Sequence, residues 1–122
     1  MAVIGTVVAA CSAKTQYEWG DYNKALLSYY KNPQEVAEFS EKLRESVEEA
    51  EGAGKVPPGL YAEYGYALLE LGDEQAALAY FAKEQETWPE SAYLMTKVIS
   101  RLKEMSSATA QSDNAQNDQE DL

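Results

Sequence analysis

The sequence predicts an all-α protein: an antiparallel array of about five helices followed by a disordered C-terminal tail. Three observations carry that prediction. Apolar residues recur at three- and four-residue spacing in five consecutive segments. Helix-stopping residues close four of them: Asn32-Pro33, Gly52 with Gly54, Gly72, and Trp88-Pro89. Ala, Glu, Leu and Lys dominate these segments, and the sheet-like alternations are short.

The first segment, Tyr17 to Lys31, is aromatic-rich, with Tyr17, Trp19, Tyr22, Leu26, Tyr29 and Tyr30 at helical spacing. It stops at Asn32-Pro33. Asn32 suits an N-cap, Pro33 the first helical position and Glu35 the capping-box position, so a second helix is expected to open there. Val36, Phe39, Leu43, Val47 and Ala50 give that helix one apolar face. Glu38, Glu41, Lys42, Arg44, Glu45, Glu48 and Glu49 give it a solvated one. Gly52 and Gly54 end it, and Val56-Pro57-Pro58-Gly59 is a stiff connector.

A third helix is predicted from about Leu60 to Leu71, stopped by Gly72. Asp73 caps a fourth, which runs to about Thr87. A fifth, about Ser91 to Met105, places Leu94, Val98, Ile99, Leu102 and Met105 on one side. The helical domain is therefore assigned to residues 17–105. Residues 106–122 are rich in Ser, Ala, Gln, Asn and Asp, with Leu122 the one large apolar residue. They bury too little to offset their ordering entropy and are expected to form a disordered acidic tail.

The N-terminus carries a different signal. An apolar run, Val3-Ile4-Gly5-Thr6-Val7-Val8-Ala9-Ala10, ends at Cys11, the only cysteine. A branched aliphatic and two small residues before a Cys are what a bacterial lipoprotein signal ends in. The small side chains suit signal peptidase, and the thiol accepts the diacylglycerol. The run has the length of a signal h-region and is too short to span a bilayer. No Lys or Arg precedes it, whereas a signal usually opens on a basic region. The expectation is a signal remnant over 1–10 and a lipidated tether over 11–16, with Cys11 as the lipidation site. The alternative is a buried Cys in an apolar N-terminal element. A lone Cys makes no internal disulfide.

Composition narrows the function classes. Of 122 residues, 21 are Asp or Glu and 10 are Lys or Arg, for a net charge of −11. About ninety residues remain for one domain, enough for a modest core. So acidic a surface repels nucleic acid and anionic headgroups, so no nucleic-acid partner is expected, and membrane attachment would come from acylation. The chain has no His, which removes the commonest zinc sites and the Ser-His and Cys-His pairs. No metal, no cofactor and no catalytic residue is expected.

The clearest internal pattern is Tyr61-x-x-Tyr64-Gly65-x-x-Leu68, then Gly72, Ala77, Phe81 and Pro89. It resembles one tetratricopeptide repeat, a two-helix unit that stacks into solenoids. Gly65 and Ala77 are small enough for two helices to cross closely, and Tyr61, Tyr64, Leu68 and Phe81 fill the wedge beside them. Gly inside a helix costs about 1 kcal/mol against Ala, so its presence there points to a contact that needs the room. A chance amphipathic hairpin is the alternative. The first helix pair matches the repeat poorly and reads as a degenerate unit, with the fifth helix as a cap. One repeat cannot bury its own faces, so neighbours are required, and a right-handed array is expected.

A wider resemblance begins at Cys11 and extends to about Lys103. Tyr17-x-Trp19-Gly20-Asp21-Tyr22, Tyr29-Tyr30, Val56-Pro57-Pro58-Gly59-Leu60, Gly65-Tyr66, Phe81-x-x-Glu84 and Trp88-Pro89-Glu90-Ser91 resemble a family of small bacterial outer-membrane lipoproteins of unknown function. The resemblance implies a lipid-anchored protein on the periplasmic face of the outer membrane. It also implies related genes beside two other lipoproteins, one similar to the curli secretion channel, and hence an envelope lipoprotein assembly as partner. Ser12 after Cys11 fits outer-membrane sorting. No catalytic residue is implied.

The function expected is that of an interaction module, with the membrane reached through the acyl anchor. Each buried methylene is worth about 0.8 kcal/mol, and stable anchoring takes two or more chains. Helical-repeat stacks present a groove lined by the first helix of each pair. On the repeat register Ala62, Tyr66, Leu69 and Glu70 would face it, with Tyr22, Leu26 and Tyr30 as candidates from the first helix. These tyrosines could equally be core or capping contacts. A structural or stress-related lipoprotein without a specific ligand is one alternative. A carboxylate-based cell-wall hydrolase is another, and it would need two acids in an apolar cleft. Glu84, where the repeat usually has a small residue, is the acid to inspect, whereas Glu63, Glu70 and Glu86 read as solvated.

Overall fold

The computed structural model describes residues 16–32 and 34–120. Among these it is all-helical: α1 (Tyr22–Lys31), α2 (Val36–Ala53), α3 (Leu60–Glu70), α4 (Glu74–Thr87) and α5 (Ala92–Glu120). Each helix packs on the next along the chain. Cys11, the apolar run before it, the tether up to residue 15, Pro33 and residues 121–122 lie outside the described residues. No described helix is long and apolar enough to cross a membrane.

α1 starts five residues later than its aromatic spacing predicts. Gly20 takes φ +51°, and the Tyr22 N–H donates to the Trp19 carbonyl at 3.0 Å, which makes a turn ahead of the helix. Before that turn, the Glu18 N–H donates to the Lys55 carbonyl at 2.9 Å, so the chain runs beside the α2–α3 connector. A side chain at position 20 would collide with Glu49.

Asn32 does not cap α2. Its N–H closes α1 on the Ser28 carbonyl, and its own carbonyl accepts from the Glu35 N–H, each at 3.0 Å. That turn places Glu35 at the N-cap, with no side-chain cap bond, and Val36 at the first helical position. Asn32 therefore reverses the chain between the two helices. The Tyr29 ring stacks on Phe39 with centroids 4.5 Å apart and planes 8° from parallel, which fastens α1 to α2.

α2 buries the predicted stripe of Phe39, Leu43, Val47 and Ala50. Arg44 pairs with Glu41 at 2.6 Å and with Glu48, and Lys42 with Glu45 at 2.9 Å, on the opposite face. Such exposed pairs each contribute about 0–1 kcal/mol, so the apolar stripe dominates the helix's stability. Gly54 ends α2 in the left-handed conformation, and the Lys55 N–H donates to the Ala50 carbonyl at 2.9 Å.

α3 and α4 run antiparallel, since Tyr61 lies against Tyr80 and Lys83 whereas Gly65 lies against Ala77 and Phe81. A Cβ on Gly65 would sit 2.9 Å from the Phe81 ring and 3.1 Å from the Ala77 carbonyl oxygen. Gly72 turns the chain at φ +86°, and the Asp73 side chain accepts from the Ala76 N–H at 3.1 Å to cap α4. Glu51 of α2 accepts from the Tyr61 hydroxyl and from Lys83 Nζ, each at 2.9 Å, which ties α2, α3 and α4 together at the surface. The Lys83 contact, followed by the Tyr61 bond, holds Glu51 below the usual carboxylate range.

The buried stripe of α5 differs from the predicted one. Met95 is buried, with Val98, Ile99 and Leu102 packed in the same cluster, whereas Leu94 and Met105 are more than half exposed. Val98, Ile99 and Leu102 pack as predicted, and Met95 rather than Leu94 continues their line against Ala77 and Phe81 of α4. Past Met105 the backbone stays helical to Glu120, and residues 106–112 are exposed throughout. Ser106 reaches Glu74, and the other hydroxyl bonds of this stretch are local. A helix without tertiary burial is marginal in water, so no fixed order is expected of it.

Two glycine substitutions test the α3–α4 crossing. Gly65→Ala is expected to lower stability by about 1–3 kcal/mol despite its better helix propensity, because the Phe81 ring and Ala77 carbonyl must give way. Gly52→Ala, inside α2 with nothing within 4 Å of the added Cβ, is expected to raise stability by about 0.4–1 kcal/mol. Urea unfolding of both variants checks the pair.

Candidate functional site

α3 buries Leu60, Tyr61, Tyr64 and Ala67 in the core it shares with α2. Ala62, Tyr66 and Leu69 recur at i, i+4 and i+7 on a different face. That face opens onto a groove of about 450 Å³, lined by Ala62, Glu63, Tyr66 and Leu69 of α3, Phe81 of α4, and Met95 and Val98 of α5. Phe81 and Met95 are 3 % and 5 % exposed and form the floor, whereas Tyr66 is 52 % exposed. The groove exists because α5 packs on α4 while α3 is left across the gap, with the small Ala62 on its wall.

The groove carries one carboxylate and no cation. Glu63 is half-buried, and burial raises its pKa above the ordinary carboxylate value. It makes no hydrogen bond or ion pair among the described residues. Burial, followed by the Glu63 charge, pushes the Tyr22 hydroxyl up. At the end of α3 the Tyr29 hydroxyl donates to Glu70 at 2.9 Å, and that bond is the main cause of its raised pKa. Glu70 also raises the neighbouring Tyr66. Along α3 and the part of α1 beside it, aromatic rings are thus combined with negative charge.

Of the residues singled out from sequence, Ala62, Tyr66 and Leu69 line the groove together. Glu70 lies beside it, engaged by Tyr29 rather than in the lining. Tyr22 packs on the first core and against Trp19, centroids 5.3 Å apart. Leu26 and Tyr30 are exposed on α1 and outside the lining, Tyr30 at 83 %. Glu63, read from sequence as solvated, is the groove's carboxylate. Its position three residues before Tyr66 was the available signal. Met95 was missed because Leu94 fits the same apolar pattern one residue away.

Glu84 is fully buried. Its Oε1 accepts from the Gly59 N–H at 2.8 Å and from the Ser91 hydroxyl at 2.9 Å, and its Oε2 has no partner among the described residues. Gly59 is the N-cap of α3, and the Ser91 carbonyl accepts the Met95 N–H at the start of α5. The positive ends of two helix dipoles therefore face this carboxyl group. Among the described residues no group of His, Cys, Asp and Glu is placed to hold a metal ion.

Fold and groove together define a small all-α domain with an open apolar surface between two of its helices. The chain belongs to the family defined by a domain of unknown function, DUF4810, which it matches over residues 16–98. That span includes every residue lining the groove. No curated protein and no solved structure matches the chain.

Removing the Glu84 side chain leaves a buried N–H and hydroxyl without their acceptor. Glu84→Ala is expected to cost about 2–4 kcal/mol in urea unfolding, and Glu84→Gln, which keeps an acceptor oxygen, clearly less. Glu63 has the opposite sign. With its folded pKa raised, it lowers stability at pH values above that pKa and ceases to do so below the unfolded value near 4.3. Glu63→Gln is therefore expected to melt higher than the unchanged protein at pH 7, the difference closing as pH falls through the acid range.

Proposed function

We propose that this chain is a lipid-anchored, tetratricopeptide-like interaction module of the bacterial envelope, binding protein through the α3–α5 groove. The groove carries the reading. It is an unfilled apolar surface, lined by Ala62, Tyr66 and Leu69, three of the positions that the repeat register assigns to ligand contact. Support for the repeat comes from the close crossing at Gly65, with Ala77 and Phe81 opposite, and from the left-handed turn at Gly72. Aromatic and apolar groove residues give contact area at low entropy cost.

The sequence Val8-Ala9-Ala10-Cys11 supports acylation, and the polar residues after Cys11 support a tether between lipid and domain. An outer-membrane position facing the periplasm, within an envelope lipoprotein assembly, follows from the family resemblance. In that setting the domain works as a docking element held close to the membrane.

Two measurements test this reading. Mass spectrometry of the N-terminal peptide from the producing bacterium is expected to show a diacylated or triacylated Cys11, and Cys11→Ser to leave the membrane fraction. An unprocessed chain with a free Cys11 thiol would refute the anchor. In-cell crosslinking is expected to capture an envelope protein partner, and Ala62→Trp, which fills the groove, to abolish that capture while the thermal unfolding curve stays cooperative. Unchanged capture would refute the groove as the binding surface.

A further inference from the structure

We infer that the occupant of the α3–α5 groove is a cationic amphipathic helix of another protein, whose Lys or Arg pairs with Glu63 while its apolar side chains fill the space above Phe81 and Met95. This rests on the groove being the binding surface, and it adds the chemical class of partner. Glu63 faces an otherwise apolar lining and has no hydrogen bond or ion pair among the described residues. A half-buried carboxylate in that position is destabilising until a cation reaches it. None of the α5 cations lines the groove; Lys97 lies 4.5 Å from the Tyr93 ring centroid, and Arg101 is 3.7 Å from Glu104. With no cation in the lining, a partner's Lys or Arg is the charge that would pair with Glu63.

Charge also decides between occupants. The C-terminal segment of this chain holds Asp113, Asp118, Glu120 and Asp121 and no Lys or Arg, the wrong sign for the groove. A second copy brings another −11 and is repelled. A cationic segment is attracted over the whole approach and is steered in by the same field. Secondary structure follows from the walls. Both are helices whose backbone groups are bonded internally, so they offer no open strand edge. A segment held there must satisfy its own backbone, which a helix does, presenting apolar anchors at i, i+3, i+4 and i+7.

The test uses the full chain and a defined probe: an amphipathic Leu/Lys peptide of about fifteen residues, long enough for four helical turns. Two comparison peptides keep its length, one with every Lys replaced by Glu, the other with the same composition scrambled. Binding is read by fluorescence anisotropy at physiological salt. The Leu/Lys helix is expected to bind and the other two to bind at least tenfold more weakly. Glu63→Lys is expected to weaken the Leu/Lys peptide by about tenfold or more, near 1.4 kcal/mol. Glu86→Lys, the same charge change at an exposed α4 position outside the lining, is expected to weaken it much less. Glu63→Gln, which should stabilise the fold, should fall between, so lost binding there cannot be lost folding.

Equal binding of the three peptides, no binding of any, or Glu63→Lys and Glu86→Lys acting alike would overturn the inference. If Ala62→Trp abolishes peptide binding while Glu63→Lys leaves it intact, the groove stands and the cationic partner falls. If Ala62→Trp leaves binding intact, the groove itself is wrong.

Discussion

The close approach of α3 and α4 at Gly65 sets the geometry on which the rest of the molecule depends. With no Cβ at that position, the Phe81 ring lies against the α3 backbone, and Ala77, fully buried, keeps the second contact short. Phe81 then has two roles. It closes the α3–α4 interface, and it is the surface on which Met95 and Val98 of α5 are seated in the second core cluster. Any residue that pushed Phe81 away from α3 would carry α5 with it. Gly65 is thus coupled to the groove floor through Phe81. Interiors packed at crystal-like density transmit such a displacement rather than absorb it.

A second constraint works from the loop end of the same two helices. Glu84 accepts from the N-cap of α3 and from the serine that opens α5, so one carboxylate holds the starting points of both groove walls. A buried acid without a cation is ordinarily costly. Here the two helix N-termini supply the compensating donors and partial positive charge. The Glu51 triad with Tyr61 and Lys83 is weaker, since the Glu51 and Lys83 side chains are partly exposed and screened. It joins α2 to the α3–α4 pair, whereas Glu84 joins that pair to α5. One apolar crossing and these two polar ties thus link α2, α3, α4 and α5.

The helix count and most breaks were legible because Gly54, Gly72 and Pro89 act through local backbone geometry that a residue type reveals by itself. Three misreadings came from features that residue type alone does not reveal. Gly20 looked like an interior glycine of an aromatic helix, and only its φ of +51° and the nearby Glu49 show that it starts the turn. Asn32 had the chemistry of an N-cap, but its N–H and carbonyl were taken by Ser28 and Glu35 in the chain reversal. On α5, Leu94 and Met95 satisfy the same periodicity one residue apart, and contact with Phe81 chooses between them. Of the groove, the α3 side was readable from the repeat register. The α4 and α5 contributions were not, because they depend on how far the last helix is offset from the third.

The groove and its carboxylate belong to one argument about what the sequence around Ala62 is optimised for. A larger apolar residue at 62 would fill the space, and a neutral residue at 63 would relieve the desolvation that raises the Glu63 pKa. Either change favours the isolated domain. Several other features follow the stabilising choice: a capped α4, a left-handed glycine after α2, ion pairs along the exposed face of α2. Departures from local consistency concentrate where a surface has work other than folding. Two adjacent departures, an unfilled volume and an unpaired charge on the same wall, are both met by the apolar, positively charged partner proposed above. That concurrence, rather than the exposure of Tyr66 or any other single residue, is what the proposed binding surface rests on.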